Sequence, residues 1–129
     1  MDCLFCKIIE GSIPSKTIYE DEKVKVFLDI NPDTNGHCLI IPKKHIVTVS
    51  ELDNNLITHI LEVEKKMYKL LKDKLNIEGL TIVQNNDLGQ EVKHYHVHLI
   101  PRYKDDNWNL NFNKDILKDL DEVHKKITN

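Results

Sequence analysis

His94-Tyr95-His96-Val97-His98-Leu99-Ile100 alternates polar and apolar residues with a strict period of two. That period marks a strand with one face in the core. On this reading Tyr95, Val97 and Leu99 enter the core, while His94, His96 and His98 share the other face. Successive same-face Cα atoms on a strand lie roughly 6.5–7 Å apart. Three imidazoles in such a row make poor core material, because each neutral ring carries a donor and an acceptor that need partners. The row reads instead as a functional face.

Outward from this strand, the chain reads as short strands with helices inserted. Leu80-Thr81-Ile82-Val83 reads as a strand, separated from the histidines by a polar loop. Leu56, Ile57, Ile60, Leu61, Val63, Met67, Leu70, Leu71 and Leu75 follow helical spacing for about five turns. Ser50 or Asp53 can cap its start, and Gly79 lies just beyond its end. Earlier still, Thr17-Ile18-Tyr19, the stretch from Lys23 to Asp29, and His37-Cys38-Leu39-Ile40-Ile41 read as strands. The last two are joined by the turn-rich Asn31-Pro32-Asp33-Thr34-Asn35-Gly36, and Pro42 closes the third. A short helix from Cys3 to Glu10 fits the N-terminus. Phe112, Ile116, Leu120, Val123 and Ile127 predict a second amphipathic helix within residues 111–128, and Trp108 before it reads as a packing anchor or interface residue. Five strands with helices inserted, and no regular βαβ alternation, give an α+β fold with a mainly antiparallel five-stranded sheet, one long helix and a C-terminal helix.

The 129 residues fit a single domain, 1–129, long enough to bury a core without disulfides. With 18 basic and 21 acidic side chains the net charge is −3, so bulk charge gives no case for nucleic acid or an acidic membrane as partner. No apolar run approaches the roughly 20 residues of a spanning helix. The start, Met1-Asp2-Cys3-Leu4-Phe5-Cys6-Lys7, places an acid where a signal peptide wants basic charge, and a cytoplasmic location is expected. Cys3 and Cys6 form a C-x-x-C pair that spacing alone leaves open between a metal half-site, a redox couple and two incidental thiols. Cys38, inside an apolar run, reads as a small buried hydrophobe. His59 and His124 lack comparable context and read as ordinary helix residues.

Two chemistries use a histidine row. One is metal-assisted hydrolysis, with histidines holding zinc at an open site. The other is nucleophilic catalysis by an imidazole whose neighbours orient it and handle protons. Near neutral pH an imidazole keeps a neutral nitrogen available for attack on phosphorus. Spacing alone does not choose between them.

The segment resembles the H-φ-H-φ-H-φ-φ signature of the histidine triad family, where φ is hydrophobic. Asp29-Ile30-Asn31-Pro32, Gly36-His37, Ile41-Pro42-Lys43-Lys44-His45 and Gly89-Gln90-Glu91-Val92 resemble that family in the same order. The likeness runs from Cys3 to Arg102, which sets a core of 3–102 followed by the helical tail. It is greatest to the small bacterial and nucleoside-phosphoramidase-like branch. The resemblance implies that His96 is the nucleophile at the α-phosphorus of a purine nucleotide phosphoramidate or related ester, through a nucleotidyl-histidine. It implies that His98 stabilises charge on the phosphate and that His37 supports the triad. Asp29 would accept hydrogen bonds from the ribose hydroxyls, and Asn85, Gly89 and Gln90 would lie along the phosphate. Zinc-containing members of the superfamily use ligands that correspond here to Cys3, Cys6, His45 and His94, so a structural Zn²⁺ is implied, as is a homodimer with the sheet continuing across its interface. Two positions depart from the pattern: Asp87 stands where glycine is common, and Glu91 where some members carry a hydroxyl residue. The stretch Asn85-Asn86-Asp87-Leu88-Gly89-Gln90 is also shorter than in most members, and this short loop motivates an alternative, a nucleotide-binding regulatory or interaction protein with weak or vestigial catalysis. A third reading is a catalytic zinc hydrolase using all three triad histidines.

Overall fold

The computed structural model of the chain describes residues 2–129, so the expected domain span of 1–129 begins at Met1, outside the described residues. The elements are α1 (Leu4–Glu10), β1 (Thr17–Glu20), β2 (Val24–Leu28), β3 (Cys38–Pro42), α2 (Asn54–Leu75), β4 (Gly79–Gln84), β5 (Val97–Arg102) and α3 (Leu120–Thr128). Single 3-10 turns occupy Val49–Glu51 and Lys114–Ile116. The five strands form one antiparallel sheet in the order β1-β2-β3-β5-β4. This is the expected α+β architecture.

Strand alternation sorts the two faces of the sheet. Val24 and Val26 of β2, Cys38 and Ile40 of β3, and Val97 and Leu99 of β5 bury one face against Ile60, Val63, Met67 and Leu71 of α2. Those helix positions recur at three and four residues and make a single stripe. On the other face Phe27, Leu39 and Ile41 pack with Phe5 and Ile8 of α1. A seven-residue helix covers only part of a five-stranded sheet, so part of this face stays open. His98 lies on it, because its neighbours Val97 and Leu99 are committed to α2.

α2 starts where the Asp53 carboxylate accepts a hydrogen bond from the Leu56 N–H at 2.8 Å. It ends at Asn76, which takes the left-handed conformation (φ 53) and does the job expected of Gly79, itself the first residue of β4. Gly36 does need to be glycine: its φ is 94, and a Cβ there would sit 2.7 Å from the Leu75 side chain, at the turn that delivers His37 to the sheet.

Two expectations need correction. The histidine strand begins at Val97 rather than His94. The β3–β5 ladder stops at the Ile40–Val97 pair, although β3 runs on to Pro42, and the β4–β5 ladder stops at the Gln84–Val97 pair. Tyr95 N–H still reaches the Ile46 carbonyl at 2.6 Å, so the segment before β5 stays anchored, but in irregular backbone. The C-terminal helix spans Leu120–Thr128 and excludes Phe112 and Ile116. Leu117 is extended (ψ 139), which breaks the helical run, and the Asp119 carboxylate caps the new start by accepting from Glu122 N–H. None of the α3 side chains is buried. Trp108 is about half exposed, with the Arg102 guanidinium 4.6 Å over its ring. Among the described residues, no helix is long and apolar enough to cross a membrane.

Candidate active site

A cavity of about 620 Å³ opens on the sheet face that α1 only partly covers. Leu4, Phe5 and Ile8 of α1, with Phe27, make one wall apolar. Asp29, His37, Asn85, Glu91, His96 and His98 bring polar groups to the same space. Burial is high at the deep end: His37 is 3% exposed and His96 5%. A buried imidazole must satisfy both ring nitrogens, so its partners define which nitrogen carries the proton.

The His96 ring places Nδ1 2.7 Å from the carbonyl oxygen of His94. A carbonyl only accepts, so Nδ1 donates and the lone pair of neutral His96 sits on Nε2. The His37 ring is fixed in the opposite sense: its Nδ1 accepts the Asp33 backbone N–H at 3.0 Å. The proton of neutral His37 is then on Nε2, which lies 3.0 Å from His98 Nδ1 and donates to it. His98 is left with its own proton on Nε2. Burial pushes the His98 imidazole down to about 4, helped by the neighbouring His96 and His37 and opposed by Asp29 and Asp33, so the ring is neutral near pH 7. The His96 and His98 rings meet edge to face with centroids 5.0 Å apart. A nitrogen lone pair and an N–H donor are thereby set side by side.

The remaining expected residues fall into two groups. Asp29 lines the cavity; one carboxylate oxygen accepts Asn31 N–H at 2.9 Å, and the other lies 3.6 Å from His37 Nε2. Asn85 and Gly89 line it too. Gly89 has φ 95, a conformation that favours glycine, in the loop facing Asn85. Asn86 turns away, its Oδ1 accepting from Val49 N–H and Gln84 Nε2. Gln90 is not brought to the cavity. It is 4% exposed, its amide donates to the Val47 carbonyl at 2.6 Å, and its Oε1 accepts Asp87 N–H at 3.3 Å. The short loop explains this: Asp87 adopts φ 65, tolerated by Asp, and the tight turn folds Gln90 inward as its brace.

Cys3, Cys6, His45 and His94 meet on the other side of Phe5, with all ligand atoms within 4.8 Å of one another. His94 Nδ1 lies 3.4 Å from Cys3 Sγ, 3.6 Å from Cys6 Sγ and 3.2 Å from His45 Nδ1. Cys6 Sγ lies 3.3 Å from His45 Nδ1. A tetrahedral ion with bonds of about 2.3 Å to sulfur and 2.0 Å to nitrogen spaces its donors by roughly 3.3–3.8 Å, so the set fits zinc. His94 Nε2 is 2.8 Å from the Pro42 carbonyl and must carry the proton, which turns an unprotonated Nδ1 into the cluster. Burial raises the Cys6 thiol, with Cys3 adding to the effect, and a bound cation would act in the opposite direction.

Asp29, His37 and His98 also converge. Their hydrogen bonds argue against an ion: His37 Nδ1 is occupied by the Asp33 N–H, so Nε2 holds a proton and cannot ligate without forming an imidazolate. The three triad rings do not share one metal either, because His96 belongs to neither cluster of ligating atoms among the described residues.

Two functional groups had no signal in the sequence reading. The Asp33 backbone N–H fixes a tautomer, and backbone groups carry no residue code. Phe5 touches the rings of both His94 and His96; only its position between Cys3 and Cys6 could have pointed to it. His59, away from the cavity, pairs with Asp21 at 2.7 Å and ties α2 to the β1–β2 turn.

Comparison with known proteins gives a consistent picture. The HIT domain family model matches residues 10–105. A HIT-like protein of Methanocaldococcus jannaschii is 47% identical over 97% of this chain and 98% of its own. Adenosine 5'-monophosphoramidase of Candida albicans is 44% identical over 78% of this chain and 70% of its own. The crystal structure of a zinc-bound histidine triad family protein from Mycobacterium smegmatis superposes with a TM-score of 0.79 at 33% identity, covering 89% of this chain and 85% of that one.

Proposed function

The chain belongs to the HIT domain family, and from that premise we propose that it is a hydrolase or nucleotidyl transferase acting at the α-phosphorus of purine nucleotide phosphoramidates or related esters. The observation that carries this reading is the tautomer of His96, whose Nδ1–H is held by the His94 carbonyl so that Nε2 offers a lone pair to the cavity. The similarity to a fungal protein named adenosine 5'-monophosphoramidase supports the substrate class.

In this mechanism Nε2 of His96 forms a bond to phosphorus as the bond to the leaving amine breaks, and the amine departs with a proton drawn from water. Water then attacks phosphorus, giving its proton to the hydroxide left by the first step, as the Nε2–P bond breaks and returns the lone pair to Nε2. The Nε2–H of His98 donates to a phosphoryl oxygen as charge builds there. His37 holds His98 in that tautomer through its own Nε2–H. Asp29 accepts from the ribose hydroxyls, and Asn85 with the Gly89 N–H follows the phosphate. Gln90, spent on Val47, braces the loop instead.

Charge supports an amine as leaving group. Asp29, Asp33 and Glu91 line the cavity, and none of its lining residues is Lys or Arg. An anionic leaving group such as phosphate would meet carboxylates, whereas a neutral or cationic amine would not.

Cys3, Cys6, His45 and His94 would hold a structural Zn²⁺, consistent with the zinc-bound relative. The ion would tie the N-terminal segment to the histidine-bearing segment. Reduced cysteines in that role suit a cytoplasmic setting. A homodimer completes the reading: β4 is a sheet edge, and Ile82 together with Ile57 and Leu61 of α2 offers exposed apolar surface to a second copy.

A second reading, nucleotide binding with vestigial chemistry, is favoured by one observation, the withdrawal of the Gln90 amide from the cavity. Single-turnover reaction with an adenosine phosphoramidate separates the two. AMP and free amine forming within one enzyme turnover support the hydrolase; tight binding with no product supports the binding protein.

A further inference from the structure

Phe5 stands between the two halves of this site. Cys3, two positions before it, and Cys6, the next residue, both belong to the Cys/His cluster. Cys3 also caps α1, its Sγ accepting the Cys6 N–H at 3.4 Å. The Phe5 ring is 4% exposed and packs edge to face on three others. Its centroid lies 5.9 Å from His94, 5.0 Å from His96 and 5.7 Å from Phe27. It also lines the cavity with His96. One side chain therefore touches a cluster histidine, the reactive-site histidine and the space where substrate would sit.

We propose that Phe5 is a positioning residue that couples the Cys3–Cys6–His45–His94 cluster to the orientation of the His96 ring. The His96 ring has one hydrogen-bond tether, from Nδ1 to the His94 carbonyl. A single tether fixes one end of the ring, and the His98 ring, edge to face at 5.0 Å, bears on it from one side only. The Phe5 edge closes the remaining freedom, as aromatic pairs do when their quadrupoles meet edge to face. α1 has only seven residues, too few to hold its own place by helical cooperativity. An ion gripping both cysteines would hold α1 in register, and with it the ring. Loss of the ion would loosen α1 and let His96 turn without removing any group from the cavity.

The coupling rests on His96 as nucleophile for its kinetic consequence, but the ring's orientation is measurable without any reaction. The proteins to compare are wild type, Phe5→Leu, Phe5→Tyr and Ile41→Ala, each zinc-loaded and metal-stripped. Ile41 is buried in the same apolar cluster as Phe5 and does not line the cavity, so it reports plain loss of packing. In ring ¹⁵N spectra we expect an ordered His96 Nδ1–H signal in zinc-loaded wild type and Ile41→Ala. It should be broadened or lost in Phe5→Leu and in stripped wild type. Hydrogen exchange of the amides of residues 4–10 should rise on stripping. In single turnover, zinc-loaded Phe5→Leu should form nucleotidyl-protein about tenfold more slowly, the size expected when a reacting group is misoriented. Its affinity for AMP should change far less, Phe5→Tyr should recover most of the rate, and stripping zinc from Phe5→Leu should add little. An unchanged Nδ1–H signal in Phe5→Leu, or multiplicative losses from stripping and substitution, overturns the coupling. Absence of any nucleotidyl-protein in wild type overturns the nucleophile instead, and the ring spectra then still decide the role of Phe5.

Discussion

Nδ1 of His96 and the carbonyl oxygen of His94 are 2.7 Å apart, and this hydrogen bond decides what the middle histidine can do. It ties the His96 ring to the backbone of a residue that itself belongs to the Cys/His cluster. The two-residue spacing between His94 and His96 thus gives the middle ring its tautomer.

The His98 ring makes stability pH-dependent. Its folded pKa is pushed from 6.5 down to about 4, so as pH falls the unfolded chain takes up this proton first. The sign follows: the contribution is intact above 6.5 and is lost progressively between 6.5 and 4. It amounts to at most about 2–3 kcal/mol. We expect the urea midpoint to fall between pH 7 and pH 4.5 in the wild type, and to fall less in His98→Asn. Equal pH slopes in the two proteins would remove His98 as the cause.

Metal removal should loosen the fold before it affects any bond-breaking group. Metal analysis should find one zinc per chain, reduced in Cys6→Ser. A structural zinc can contribute several kcal/mol to folding, so chelation should lower Tm by on the order of 10 °C. Chelation that abolishes turnover while Tm stays constant would make the metal catalytic and the assignment of His94 wrong.

Glu91 should bias the leaving group. Replacing it with Gln removes one of the three carboxylates lining the cavity. We expect kcat/KM for an adenosine phosphoramidate of a cationic amine to drop about threefold to tenfold, with little change for an uncharged amine of similar size. Equal changes for both substrates would show that Glu91 does not sense the leaving group.

Much of this organisation was legible because periodicity and burial agree. The α2 stripe and the Val97–Leu99 alternation each choose one face of one sheet, and His98 is left on the other, with His94 and His96 in the irregular segment before β5. The Cys/His set was legible through resemblance, and the structure brings its four side chains together. What escaped was set by tertiary context. The strand starts at Val97 because its ladders to β3 and to β4 both end there, and nothing in residues 94–96 encodes that. The tail helix starts late because Leu117 turns extended, although Phe112 and Ile116 keep the helical spacing. Gln90 folds inward because a short loop with Asp87 at φ 65 leaves its amide nearer Val47 than the cavity.

The most direct test is to mix the protein with an adenosine phosphoramidate, quench under denaturing alkaline conditions that preserve phosphohistidine, and locate the adduct by peptide mass spectrometry. We expect one adenylate per chain, on His96, formed and lost at rates that match turnover. His96→Ala should carry no adduct and still bind AMP. Adenylate on any other residue, or AMP released in a single turnover by His96→Ala at the wild-type rate, would contradict His96 as the nucleophile.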